Sequence, residues 1–156
     1  MKKVRSVFKL DNADMKILKV LENNSRASLR QIARKTGLSI TKVYNRYNKL
    51  KEEVIDKFTI KLNRERVGLK FKAFILIKTD HEILKKKKMS QIDLANILKK
   101  YEFVHDVEVI VGEYDLFCSV FCKDVDEFNK VLFEYLHKID GIESTHTIVS
   151  IKTIKE

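Results

Sequence analysis

Residues 26–50, RASLRQIARKTGLSITKVYNRYNKL, most constrain what this 156-residue chain can fold into, because they fit two short amphipathic helices joined at a glycine. Ser28 followed three residues later by Gln31 is a capping box, each side chain satisfying a free amide of the first turn. Leu29, Ile32 and Ala33 fall on one face at i, i+3, i+4 spacing, and Arg30, Arg34 and Lys35 point away. Gly37 stands where a left-handed residue ends a helix, and Ser39 is positioned to cap the next. In that second helix Ile40, Val43, Tyr47 and Leu50 are the expected inward stripe. The opposite face then carries Thr41, Lys42, Asn45, Asn48 and Lys49, with Tyr44 and Arg46 on its flanks.

Helix, short glycine turn and amide- and lysine-rich second helix make a helix-turn-helix pattern. Asn can pair bidentately with an adenine edge, Lys can reach guanine, and Lys or Arg can meet phosphates. The expected DNA-reading set is Ser39, Thr41, Lys42, Tyr44, Asn45, Arg46, Asn48 and Lys49. A plain helical hairpin with a solvated polar face has the same periodicity, so charge has to decide between them. Residues 1–72 hold 20 Lys+Arg against 7 Asp+Glu, net +13, whereas residues 73–156 hold 12 against 15, net −3. All the excess of the +10 chain lies with the helix-turn-helix, as expected of a phosphate-binding half joined to a non-binding one. The basic helices lack the broad aromatic face that a membrane-surface helix buries.

Around this stretch, Asp11 is placed to cap a preceding helix whose inward face is Ile17, Leu18 and Leu21, completing a three-helix unit. The basic residues of positions 1–10 suit either an arm near DNA or a frayed end. Behind the second helix, Phe58, Ile60 and Leu62 alternate with Lys57, Thr59 and Lys61, the period of a strand, read here as a wing. Gly68 in RERVGLK marks a joint. The expected domains are 1–62, a winged helix-turn-helix; 63–70, a linker; and 71–156, a second domain.

From residue 71 the period changes to that of strands and helices in the order β-α-β-β-α-β: 71–79, 90–101, 104–111, 116–122, 125–138 and 142–151. This is the ferredoxin-like α+β arrangement, an antiparallel sheet with its helices on one face. Strand 71–79 sends Phe71, Ala73, Ile75 and Ile77 one way and Phe74 and Leu76 the other. Strand 116–122 likewise opposes Leu116, Cys118 and Val120 to Phe117 and Phe121. A sheet with two apolar faces and one helical layer must bury the second face on something, most simply a copy of itself, which gives a two-fold homodimer.

Cys118 and Cys122, four apart on one strand face, stand about 13 Å from each other, too far for a disulfide. No His or third Cys is spaced to complete a metal site, so buried free thiols, no metal and no cofactor are expected. The lysine run at 85–88 reads as a solvated loop, with a second phosphate contact as the alternative. With no signal segment and no apolar run near the 18 residues or so of a membrane span, a cytoplasmic protein is expected.

LDNADMKILKVLENNSRASLRQIARKTGLS, the V-x-x-R-x-x-x-L of Val43, Arg46 and Leu50 followed by Val54-Ile55, VGEYDL at 111–116 and GIESTHTIV near the end together resemble the Lrp/AsnC, or feast/famine, regulators. The resemblance implies a non-enzymatic transcription regulator that binds double-stranded DNA. Its C-terminal domain dimerises, and dimers associate further into tetramers, octamers or larger discs. It also implies an amino acid or related metabolite bound near the G-x-Y-D loop, here by Gly112, Tyr114 and Asp115, with Thr147 beside them. The chain departs from the family at Glu53, where Gly is usual, and at Tyr47, usually aliphatic. Two other readings stay open. One is the haem-precursor decarboxylases of the same structural family, which use histidines and basic residues, here His81, His105, His137 and His146; the other is an architectural DNA-binding protein.

Overall fold

The computed structural model describes residues 7–154, and the chain divides into two compact units, Met1–Lys61 and Leu62–Glu156. Positions 1–6 of the expected N-terminal arm lie outside the described residues.

The first unit is built from α1 (Asn12–Asn23), α2 (Leu29–Thr36) and α3 (Ile40–Glu53). Each helix starts on a side-chain cap: Asp11 accepts from the amides of Ala13 and Asp14, Ser28 from Gln31, and Ser39 from Lys42. Gly37 ends α2 in the left-handed conformation, φ 71°, which is what lets the chain turn into α3 within three residues. Ile17, Leu21, Ile32, Ala33, Val43 and Leu50 meet in a common core. Each large aliphatic side chain so buried contributes about 1.5–3 kcal/mol. Helix α3 ends at Glu53 without a left-handed residue, Val54 at φ −122°, and the amides of Val54 and Ile55 both donate to the Leu50 carbonyl.

Two expectations fail in this unit. Ile40 is 52% exposed rather than inward, because it is the first residue of α3 and lies beyond the reach of the core. The wing is not formed as a strand: residues 55–63 join no ladder. Ile60 is 67% exposed, and Phe58 rests near the Tyr47 ring at 6.4 Å between centroids. Alternation alone does not make a strand; its amides also need an edge to pair with, and among the described residues that segment finds none.

The second unit contains β1 (Phe71–Thr79), α4 (His81–Lys86), α5 (Gln91–Leu98), β2 (Val104–Val109), β3 (Leu116–Cys122), α6 (Val125–Lys130) and β4 (Ile142–Ser150). Its antiparallel sheet has the order β2-β3-β1-β4, the ferredoxin-like order, with β1 central against both β3 and β4. Helix α6 runs on through a wide turn at Val131–Tyr135 and a tight one at Leu136–Lys138, so the helix expected over 125–138 is present but irregular after Lys130. Ala73, Ile75, Ile77, Leu116, Cys118, Val120 and Cys122 face Leu84, Leu94, Leu98, Phe128, Val131 and Leu136 in one core. The unexpected element is α4. Its six residues occupy what reads in sequence as a loop, capped by Asp80 and anchored by Leu84.

Candidate DNA-reading helix and sensing face

Helix α3 presents Thr41, Lys42, Tyr44, Asn45 and Lys49 to solvent, while Val43 and Leu50 are fully buried beneath them. The Ser39 oxygen accepts from the Lys42 amide at 3.3 Å, which fixes the helix start and leaves the hydroxyl proton free to donate. Asn48 is half-buried at the edge of this face, and the Lys49 ammonium lies 4.9 Å from the centre of the Phe8 ring.

Arg46 takes a different partner from the one expected. Its Nη1 donates to Asp14 Oδ1 and meets Asp11 Oδ2, both at 2.7 Å, tying α3 to the capping box of α1. Asp14 is 6% exposed and also accepts from the Asp11 amide, so the arginine neutralises a carboxylate held out of water. Amide donation from Asp14, helped by Arg46, holds the Asp11 carboxyl below the usual range, and the two carboxylates raise the Arg46 guanidinium. The guanidinium is thereby engaged by two carboxylates of α1.

In the second unit, Ile110 donates to the Asp115 carbonyl to close the turn between β2 and β3, and the Asp115 amide donates to Ile77. The Asp115 carboxylate, expected to be an effector ligand, accepts from the Thr79 amide at 2.8 Å, from Thr79 Oγ1 at 2.7 Å and from Gln91 Nε2 at 2.8 Å. Desolvation works against its charge, yet these bonds and nearby His81 outweigh it and lower the pKa. Asp115 thereby pins the G-x-Y-D turn to the end of β1 and the start of α5. Gly112 is exposed at the turn and Tyr114 half-buried beside it.

Thr147 pairs with fully buried Ile75 and therefore belongs to the helix-covered side of β4. The β4 side chain that reaches Tyr114 is His146, at 6.1 Å between ring centroids. Sequence reading set Thr147 beside Tyr114 instead, one residue away: the register that pairs His146 with Leu76 decides which face it occupies. That face also carries the Phe74–Phe117 stack, 5.6 Å between centroids, with Leu76 half-buried and Ile148 47% exposed. Among the described residues no helix of this unit covers these rings.

Cys118 and Cys122 are buried free thiols, pushed up to about 12 and about 11 chiefly by desolvation. Among the described residues no three His, Cys, Asp or Glu side chains form a metal-binding group, and no helix is long and apolar enough to cross a membrane.

A basic helix-turn-helix joined to a separate ferredoxin-like unit defines a two-domain DNA-binding regulator. Residues 10–51 match the AsnC-type helix-turn-helix domain and residues 72–156 the Lrp/AsnC ligand binding domain, so the chain belongs to the Lrp/AsnC family of transcription regulators. It is 38% identical over 148 residues to the HTH-type transcriptional regulator FL11 of Pyrococcus horikoshii, covering 94% of this chain and 93% of that one. The transcriptional regulator NMB0573 of Neisseria meningitidis, solved with L-Met, has the same fold: TM-score 0.86 at 24% identity, over 95% of this chain and 94% of that one. AsnC of E. coli superposes with a TM-score of 0.81 at 24% identity, over 96% and 97% of the two chains.

Proposed function

We propose that this regulator binds a pseudo-palindromic duplex site as a homodimer or larger assembly, reading bases with Thr41, Lys42, Asn45 and Lys49 and meeting phosphates with Ser39, Tyr44 and Asn48. The observation that carries this reading is the outer face of α3, where amide and ammonium groups stand in solvent above a fully packed inner stripe. Arg46 is left out of the base-reading set because Asp11 and Asp14 occupy it. The aromatic sheet face of Phe74, Leu76 and Phe117 supports self-association, since an apolar layer of this kind is stable only when covered. Two α3 helices joined in this way suit successive major grooves about 34–36 Å apart.

An amino acid or related small metabolite as effector is supported by the family's ligand-binding domain and by the L-Met complex of the Neisseria protein. In this chain Gly112, Tyr114 and His146 are the groups available for it on the uncovered side of the sheet. Thr147 faces the other way, and Asp115 supports the loop from behind. The cytoplasm is the compartment that suits such a DNA-bound protein.

Selection of duplexes from random DNA by the full-length chain, followed by titration with and without each of the common amino acids, tests both parts. The reading requires an enriched two-fold symmetric site bound with a steep salt dependence. Enrichment of no sequence above background would favour the architectural reading instead.

A further inference from the structure

The lysine run at 85–88 is left unused by the function described above. Its geometry is specific. Helix α4 ends in a Schellman turn: the Met89 amide donates to the Leu84 carbonyl and the Lys88 amide to the Lys85 carbonyl, with Leu84 and Met89 packed in the same core. The left-handed position of such a turn is ordinarily glycine, and here it is Lys88 at φ 55°. Elsewhere among the described residues, positive φ falls on glycine: Gly37, Gly68, Gly112 and Gly141. Among the described residues, a side chain is therefore held in this strained backbone region only at Lys88.

Lys87 is held by an ion pair with Asp140, which fixes the turn to the start of β4. Lys85, Lys86 and Lys88 are exposed, and none makes a salt bridge among the described residues. The partial negative charge at a helix C-terminus accounts for cations at Lys85 and Lys86. It does not account for Lys88, where glycine would serve the backbone better. Nor is the run part of a generally basic surface, since residues 73–156 carry net −3.

We propose that this turn is a second contact for the DNA backbone, with Lys85, Lys86 and Lys88 each meeting a phosphate. A duplex is the partner that fits, because the chain already holds one and a weak second site on a tethered ligand acts at high effective concentration. This inference rests on the DNA-binding reading above.

The test is the salt dependence of binding by the full-length protein to a long duplex, comparing wild type with a combined Lys85→Gln, Lys86→Gln, Lys88→Gly variant. Removing one lysine–phosphate pairing lowers the slope of log affinity against log salt by about 0.9, so the variant should fall about 2–3 below wild type for each protomer whose turn meets the duplex. Its thermal midpoint should be no lower than that of wild type, because glycine relieves the turn. A control carrying Lys99→Gln, Lys100→Gln and Lys123→Gln, three exposed lysines elsewhere in the unit, should keep the wild-type slope. An unchanged slope in the variant, or an equal drop in the control, overturns the inference while leaving the α3 reading intact. Loss of binding to phosphatidylserine vesicles with the DNA slope unchanged would overturn it in favour of a membrane. Wild type that binds no DNA sinks the reading and the inference together.

Discussion

Arg46 Nη1 and Asp14 Oδ1 lie 2.7 Å apart and join the helix that faces outward to the first turn of α1. An arginine in the middle of an exposed basic helix reads in sequence as a phosphate or base contact. In the fold its guanidinium is paired with Asp11 and Asp14 of the α1 capping box.

Arg46→Ala should therefore lower the thermal midpoint of the N-terminal unit, since it leaves a buried carboxylate without its cation. Arg46→Lys should restore part of the loss, because a point charge replaces two-carboxylate coordination only partly. Circular dichroism melts compare the three proteins. The sign with pH follows from Asp11, whose folded pKa is lowered from 3.8. That stability is fully present above that value and is lost as the pH falls through the lower folded value, and the Arg46→Ala protein should show a smaller acid-side loss, because the amides of Asp14 and Ala13 still donate to Asp11.

Asp115→Asn should destabilise the second unit by about 1–3 kcal/mol, because an amide nitrogen replaces an oxygen that accepts from Thr79 or Gln91. Denaturant unfolding measures this, with no effector added. A ligand carboxylate would instead give near-normal stability and a loss confined to effector response.

Gly141→Ala should cost about 1–3 kcal/mol. Its φ is 97°, and a Cβ there would lie 2.7 Å from Leu84 Cδ2 in the core beneath α4. The same denaturant series reports it.

Lys42→Ala and Asn45→Ala should each weaken specific DNA binding by about 1–3 kcal/mol while leaving the melt unchanged, because neither side chain contributes to the core. Fluorescence anisotropy on the selected duplex provides the measurement, and unchanged affinity in both would remove α3 as the reading element.

Cys118 and Cys122 should resist a thiol reagent at pH 8 in the native protein and react once it unfolds. Their raised pKa values leave almost no thiolate, and both are buried.

Local patterns were legible in the sequence wherever short-range chemistry decides the outcome. The cap at Asp11, the capping box at Ser28, the left-handed Gly37 and the buried stripe of Val43 and Leu50 all follow from neighbours within a few residues. The strand order follows from periodicity joined to the usual connections. Long-range pairing was not legible. Nothing near Arg46 indicates that carboxylates some thirty positions earlier will capture it, and nothing near Asp115 indicates Thr79 and Gln91. Which of Thr147 and His146 shares a face with Tyr114 depends on a one-residue register, and the missing wing on the lack of an edge to pair with among the described residues. The charge of residues 85–88 is plain in sequence, but the strain at Lys88 that gives it meaning exists only in the fold.

The central claim is that the uncovered sheet face joins copies of the chain so that two α3 helices act together. Sedimentation equilibrium of wild type and a Phe74→Glu, Phe117→Glu variant tests it most directly. Wild type should sediment at twice the 18.4 kDa chain mass or a higher even multiple, and the variant at the single-chain mass with its secondary structure retained. A wild type that sediments as one chain, or a variant whose assembly is undiminished, would contradict the account.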